Sequence, residues 1–151
     1  MLLMKNFFLP LLFIIVTGSS CFIGEERIRG NGTIKSENRA VRSFSGLNVS
    51  GNFDVYVRQD SISSARIEAD ANLLEYIIIE NDGGTLVIEP EDDFNLRGTK
   101  EIKVFISTPT LNEIKISGAV DVIGEDTLRS DDIKIKLTGA SQVDMNIDAP
   151  K

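Results

Sequence analysis

The sequence predicts an all-β protein, built as a β-solenoid or right-handed β-helix-like stack of repeats of about 21 residues with an inserted hairpin. Three observations predict this fold. A nine-residue unit occurs three times, apolar and polar residues alternate within it, and each copy has a glycine at its centre. The copies are residues 47–55 (LNVSGNFDV), 114–122 (IKISGAVDV) and 135–143 (IKLTGASQV).

The structural repeat glycines are Gly51, Gly118 and Gly139. In each copy apolar residues lie four and two positions before the glycine and four positions after it, and a polar residue lies three positions before it. This period-two alternation is typical of a half-buried strand. A glycine inside such a pattern indicates a bend or bulge with positive φ or with another backbone close by. We therefore expect each unit to be a strand, a corner and a second strand.

The spacing of the glycines favours stacked repeats. Gly118 and Gly139 are 21 residues apart, and a fixed period of about 20 to 50 residues is typical of repeat architectures. Because one unit cannot bury its apolar face alone, neighbouring units would stack into a continuous core. Gly51 lies 67 residues before Gly118, which leaves room for degenerate coils or an inserted hairpin. The alternative is a plain antiparallel sandwich whose hairpins resemble one another by chance.

The other elements follow in order from local patterns. A polar edge strand is expected first, and charged edge strands limit aggregation. The Asn81–Gly84 sequence NDGG predicts a hairpin between two apolar runs. The predicted elements are the edge strand 33–41, the first unit 44–59, a strand 64–69, a single helical turn 71–76, the hairpin strands 76–80 and 85–89, and a strand 102–107.

Five stretches of the sequence carry a family resemblance: residues 30–60, ADANLLEYI (69–77), GTLVIEP (84–90), and the SGAVDV and TGASQVDM segments of the last two units. Together they resemble the putative auto-transporter adhesin head GIN domain family of Bacteroidetes-type envelope proteins. The resemblance covers about residues 30–149. It implies an all-β, β-helix-like fold on an exported protein with a binding role, and it brings no catalytic residues.

The N-terminus predicts export and a lipid anchor. Residues 1–20 read as a signal peptide because Lys5 precedes the apolar residues 7–16, a stretch too short to span a bilayer. Cys21, the only cysteine, follows directly and indicates lipoprotein processing, with acyl chains that would hold the chain in a membrane. An ordinary secretory signal with an incidental thiol is the alternative. We expect an outer membrane lipoprotein that faces the periplasm or the cell surface.

Composition narrows the possible partners. The net charge is −7, and loss of Lys5 with the signal peptide makes it one unit more negative. An acidic chain argues against nucleic acid and against electrostatic binding to anionic lipid surfaces. We expect residues 21–29 to be a lipidated N-terminus and tether, and residues 30–151 to be a single domain. Since the chain ends directly after the third unit, we expect it to be C-terminally truncated, or to self-associate through an uncapped C-terminal coil.

The sequence offers little chemistry. It has no histidine, Cys21 is assigned to the N-terminus, and no phosphate-binding or dinucleotide motif occurs, so we expect no cofactor and no metal. Paired carboxylates remain. Asp54 and Asp121 occupy the same repeat position, with Gln142 in the third copy, and stacking in register would place all three on one outward face. The three are candidates for a ligand face, but solvated outward residues near a corner are the interpretation that the sequence favours.

Two classes of function follow. The first is a non-enzymatic envelope lipoprotein that presents an adhesin-like or structural β-solenoid face to a glycan or protein ligand. The second is a carbohydrate-active enzyme on a β-helix that uses Asp54 and Asp121. An accessory periplasmic envelope protein is a third interpretation, which differs from the first mainly in location.

Overall fold

The computed structural model describes residues 25–148 and shows an all-β chain. The predicted signal peptide and Cys21 lie outside the described residues. In the described part no helix is long and apolar enough to cross a membrane. The strands are β1 (Glu26–Arg29), β2 (Ile34–Arg39), β3 (Gly46–Gln59), β4 (Ser64–Asp70), β5 (Ile77–Asp82), β6 (Thr85–Pro90), β7 (Phe94–Arg97), β8 (Lys103–Thr108), β9 (Glu113–Gly124), β10 (Leu128–Arg129), β11 (Lys134–Gly139), β12 (Gln142–Asp144) and β13 (Ile147–Asp148).

The three sequence units lie side by side in one sheet. The first unit is in β3, the second in β9, and the third in β11 and β12. β9 pairs with β3 on one side and with β11 and β12 on the other, always parallel. The register aligns Gly51 with Gly118 and Gly118 with Gly139. The in-register arrangement predicted for the units is therefore present, and its parallel pairing differs from the antiparallel hairpins of the alternative.

The aligned glycines form a line across the sheet that leaves no room for side chains. Gly51, Gly118 and Gly139 have φ of +116°, +103° and +90°, a region that residues with a Cβ rarely adopt. A Cβ on Gly118 would overlap the carbonyl oxygen of Gly51, and a Cβ on Gly139 would overlap that of Gly118. Both reasons expected for glycine, positive φ and a close backbone, are confirmed. β3 and β9 continue through the glycine as single strands, whereas the third unit breaks there into β11 and β12.

The long stretch between the first two units does not lie between them in space. It forms the opposite edge of β3, where β6 pairs with residues 46–49 and β8 with residues 54–59, both parallel. The strand order is therefore β6 and β8, then β3, β9, and finally β11 and β12. The predicted hairpin is present as β5 and β6, antiparallel around Gly83 and Gly84.

Antiparallel strands complete the sheet beyond β8. β4 pairs with β8, and β2 pairs with β4 at the outer edge. The exposed, charged character of β2 confirms the predicted edge strand. The predicted helical turn is a 3-10 turn, Leu74–Tyr76.

One hydrophobic core lies on the inward face of this sheet. The apolar residues of the first two units are buried, and Val49, Val55 and Ile114 have no exposed surface. In the third unit, which lies in the outermost strands, Ile135 and Leu137 are 39% and 49% exposed. These two residues of the third unit are therefore much less buried than the equivalent residues of the first two units.

Two short parallel ribbons add to the same core. β1 pairs with β7, and β10 pairs with β13. Leu96 of β7 and Leu128 of β10 are buried in the core, and Ile28 of β1 packs against it. Residues 26–29, which we expected to be part of a tether, are therefore a strand of the folded unit.

Side-chain hydroxyls bind the chain reversals that precede the first two units. Thr108 Oγ1 donates a hydrogen bond to the carbonyl of Phe44 at 2.5 Å, and Ser130 Oγ donates one to the carbonyl of Leu111 at 3.2 Å. Phe44 and Leu111 each lie three residues before the first apolar residue of their units, Leu47 and Ile114. These bonds satisfy buried carbonyls where the backbone leaves the sheet ladder.

A buried carboxylate joins the N-terminal turn to the loop after β7. Asp70 is 1% exposed and accepts hydrogen bonds from Gly32 N at 2.6 Å and from Thr99 N and Oγ1 at 2.8 Å. Burial alone would raise the pKa of this carboxyl, but the hydrogen bonds from Thr99 and Gly32 hold it below the usual 3.8. The carboxylate therefore stabilises both loops in its ionised form.

We expect Gly118→Ala to lower the free energy of unfolding by more than about 3 kcal/mol, because it adds both backbone strain and an overlap with the Gly51 carbonyl. Gly84→Ala is the matched control. Gly84 also has a positive φ, +84°, but has open space around its Cβ position, so its loss should be about 1 kcal/mol. Urea denaturation measures both, and equal losses would contradict a steric role for the glycine line.

Asp70→Asn should destabilise the fold by about 1–3 kcal/mol near neutral pH, because the amide cannot accept all the hydrogen bonds that the carboxylate accepts. A carboxyl with a lowered pKa contributes stability that is present above its unfolded pKa and is lost as the pH falls through its folded pKa. The difference from wild type should therefore shrink below pH 3.8. Unfolding curves at several pH values test this, with the exposed Asp92→Asn as control; a pH-independent difference would rule out the ionised form as the cause.

Candidate ligand-binding face

The outward face of the sheet carries a row of polar side chains one strand apart. Asp54 of β3 aligns with Asp121 of β9, and Asp121 aligns with Gln142 of β12. On the other side Asp54 aligns with Lys103 of β8. The structure therefore brings together the three residues predicted from the repeat and adds a lysine that the repeat does not contain. We call Lys103, Asp54, Asp121 and Gln142 the polar row.

The polar row brings two carboxylates together, with a single lysine beside them. Partial burial raises the pKa of Asp54, the nearby carboxylates of Asp121 and Glu101 raise it further, and Lys103 acts in the opposite direction. Parallel strands lie about 4.8 Å apart, so the two aligned carboxylates are close enough to repel each other. A ligand that donates hydrogen bonds, or one that carries positive charge, would relieve this repulsion.

An aromatic row runs beside the polar row, two residues further along the strands. Phe105 aligns with Tyr56 and Tyr56 with Ile123. The two rings stack with centroids 4.9 Å apart and planes 14° apart, and the Arg66 guanidinium lies 4.1 Å from the Phe105 centroid. Arg66 and Tyr56 therefore cover the two faces of the Phe105 ring. This stacking stabilises the sheet and leaves no ring face of Phe105 for a sugar.

Two residues of this face, Lys103 and Phe105, are absent from the face predicted from the repeat. The alternation within residues 102–107 was enough to place Lys103 and Phe105 on one side of a strand. It gave no sign that this strand pairs with β3, because the pairing joins residues far apart in the chain. The partners of Asp54 and Tyr56 on that side were therefore missed.

The face offers hydrogen-bond acceptors beside positively charged groups. Carboxylate and amide oxygens accept hydrogen bonds, and Lys103 and Arg66 carry positive charge beside them. Asp121 and Gln142 are exposed and Asp54 is half-buried. In the described part of the chain no group of three or more His, Cys, Asp or Glu residues is arranged to hold a metal ion.

Comparisons with known proteins agree with this fold. The sequence profile of the family described as "Putative auto-transporter adhesin, head GIN domain" matches residues 43–151. A search of curated proteins finds no match.

Solved structures share the architecture. A putative adhesin from Bacteroides fragilis NCTC 9343 superposes with a TM-score of 0.72 at 23% identity, over 80% of this chain and 57% of that chain. A putative lipid binding protein from Parabacteroides distasonis ATCC 8503 gives 0.68 at 24%, over 73% and 48%. A putative adhesin from Parabacteroides merdae ATCC 43184 gives 0.64 at 22%, over 72% and 45%. The chain thus spans about half the length of these proteins, and at such identities the likeness concerns the fold.

The family match covers most of the chain, includes all three units and contains every residue of the polar row. It also agrees with the family whose motifs the sequence resembles. The chain therefore belongs to the putative auto-transporter adhesin, head GIN domain family.

Proposed function

We propose that this protein is a non-enzymatic envelope lipoprotein that binds a glycan or a protein through its polar row. The observation that supports this best is the alignment of Asp54, Asp121 and Gln142 on three successive units of one sheet. A rigid parallel sheet fixes their spacing, so little conformational entropy is lost when a ligand binds. Family membership, with its adhesin description, supports a binding role.

We further propose that the units are coils of a short right-handed β-solenoid. The 21-residue period between the last two glycines and the parallel, in-register pairing support this. The order of the strands differs from that of a simple solenoid, because β9 lies next to β3 and the chain between them occupies the other edge. Self-association through the third unit stays a prediction, supported by the exposed Ile135 and Leu137; light scattering would test it.

The anchor is the second part of the proposal. The signal-peptide pattern and Cys21 support acylation, and the adhesin description of the family supports an extracellular or envelope location. We propose attachment to the outer membrane, with the domain on the periplasmic or the surface side. An accessory periplasmic role is the version of this proposal without surface display.

A carbohydrate-active enzyme is the alternative, and the raised pKa of Asp54 beside Asp121 is the observation that favours it. Glycosidases pair a carboxylic acid of raised pKa with a second carboxylate. The two carboxylates lie on an open sheet face, however, and Asp121 is exposed, so water is not excluded from them. We therefore favour binding over hydrolysis.

If the polar row binds the ligand, Asp54→Asn with Asp121→Asn should weaken binding to hits from a glycan and extracellular-protein array by at least about tenfold, about 1.4 kcal/mol. Asp131→Asn with Asp132→Asn removes the same charge from exposed residues elsewhere and should leave binding unchanged. Equal losses in both variants would show that net charge, and not this face, determines binding.

The same samples separate binding from hydrolysis. Incubation with a panel of polysaccharides should release no reducing sugar. Turnover that Asp121→Asn abolishes and Asp132→Asn does not would replace the binding proposal with the enzymatic one.

Cys21→Ala should abolish incorporation of radiolabelled palmitate, because the thiol is the predicted acceptor of the acyl chain. Protease treatment of intact cells then reports the location of the wild-type domain. Digestion in intact cells indicates the surface, and digestion only after the outer membrane is opened indicates the periplasm. Full labelling of the Cys21→Ala variant would disprove anchoring at this residue.

A further inference from the structure

Three arginines lie on one face of the ribbon formed by β1 and β7. Arg27 and Arg29 alternate with Ile28, which packs toward the core, so both arginines point away from the core. Arg97 of β7 aligns directly with Arg29 in the parallel register and lies on the same face. All three side chains are exposed. We call these three residues the arginine cluster.

No carboxylate in the described part of the chain forms an ion pair with the arginine cluster. Other basic residues form ion pairs, such as Arg58 with Asp60 at 3.2 Å and Lys115 with Glu113 at 3.1 Å. Among the ion pairs of the described residues, none involves a member of the cluster. This is unexpected in a chain with 23 acidic and 16 basic residues. Like charges opposite each other on neighbouring strands destabilise a sheet, so the cluster costs stability that a bound anion would restore.

The cluster lines a cleft of about 440 Å³ together with Gly30, Gly98 and Thr99. The ribbon ends at this cleft, where Gly30 N donates to the carbonyl of Arg97 at 2.8 Å. Asp70 lies behind the glycines, but its oxygens already accept hydrogen bonds from Gly32 and Thr99. It therefore fixes the shape of the cleft floor.

An acidic residue, Glu25, lies at the other end of the ribbon, away from Arg29 and Arg97. Glu25 Oε2 accepts a hydrogen bond from Asn95 Nδ2 at 3.2 Å, and Asn95 aligns with Arg27. The positive charge is therefore concentrated toward Arg29 and Arg97. Guanidinium groups bind phosphate through paired N–H donors and remain charged at every physiological pH, so a phosphate group matches the cluster in both charge and geometry.

We propose that Arg27, Arg29 and Arg97 form a binding site for the phosphate group of an anionic lipid headgroup. The lipid source rests on the anchor given under Proposed function. Arg27 lies six positions after Cys21, and a stretch of this length spans at most about 20 Å, so an acylated Cys21 holds the cluster near the headgroups. The site orients the domain on its own membrane, with the arginine cluster toward the lipid.

Modification by phenylglyoxal, which reacts with accessible arginines, tests the proposal for each arginine separately. The chain purified from its host membrane is modified in detergent with and without inorganic phosphate, at matched ionic strength in chloride. It is also modified in vesicles of phosphatidylcholine with and without phosphatidylglycerol. Peptide mass spectrometry then gives the rate for each arginine. We expect phosphate and phosphatidylglycerol each to slow modification of Arg27, Arg29 and Arg97 at least about fivefold, with Arg42 as an unprotected internal control.

Variants show whether the cluster itself is responsible. Arg29→Gln with Arg97→Gln should remove the protection of the remaining Arg27, whereas Lys35→Gln with Arg42→Gln, which removes the same charge from exposed residues, should keep it. Circular dichroism verifies that both variants fold. Retained protection of Arg27 in the first variant would overturn the cluster as the binding site.

The two ligands test separately whether the site binds phosphate and whether that phosphate belongs to a lipid. Protection by phosphatidylglycerol and by phosphate supports a lipid headgroup. Protection by inorganic phosphate alone supports the site and assigns it a soluble phosphate ligand, which overturns the lipid source. Protection by neither overturns the site. If only the anchor is absent, the intact mass lacks acyl chains while phosphate protection persists, so failure of the anchor and failure of the site are distinguishable.

Discussion

The pairing of the central strands depends on the line of Gly51, Gly118 and Gly139. At each glycine the backbone takes a positive φ, and a Cβ on the second or third glycine would overlap the carbonyl oxygen of the glycine before it. Only strands that carry glycine at the same position can therefore pair at this point. A shift of one residue would bring a side chain against the neighbouring backbone and turn every apolar residue to the wrong face. The glycines thus fix the register, and the register fixes what lies on each face.

Both faces of the sheet follow from that register. On the inward side the apolar residues of β3 and β9 stack directly on one another and are buried. On the outward side equivalent residues also align, which brings Asp54 beside Asp121 even though like charges repel. Lys103 of β8 offsets part of this repulsion. The aligned units place equivalent side chains next to one another, and on the outward face these side chains accept hydrogen bonds.

The charge of the chain is unevenly distributed. Net charge alone describes an acidic protein that anionic surfaces should repel. Folding nevertheless brings Arg29 and Arg97, which are 68 residues apart in sequence, into alignment on one ribbon. Asp70 holds the adjoining loops through its hydrogen bonds with Gly32 and Thr99, and none of the ion pairs of the described residues joins it to these arginines. A local site can therefore differ in sign from the whole molecule.

The all-β class, the family, the repeat units and the residues that align on the outward face could all be predicted from the sequence. Alternation and glycine position are local signals, and stacking follows from them because equivalent residues of identical units must align. Tertiary structure alone decided that β8 pairs with β3, that residues 26–29 form a strand, and that Arg29 meets Arg97. These pairings join segments with no common pattern, and their stability comes from burial of a shared core that no single segment reveals. For the same reason the sequence placed Asp54 and Asp121 together, and the structure added Lys103 beside Asp54 and Phe105 beside Tyr56.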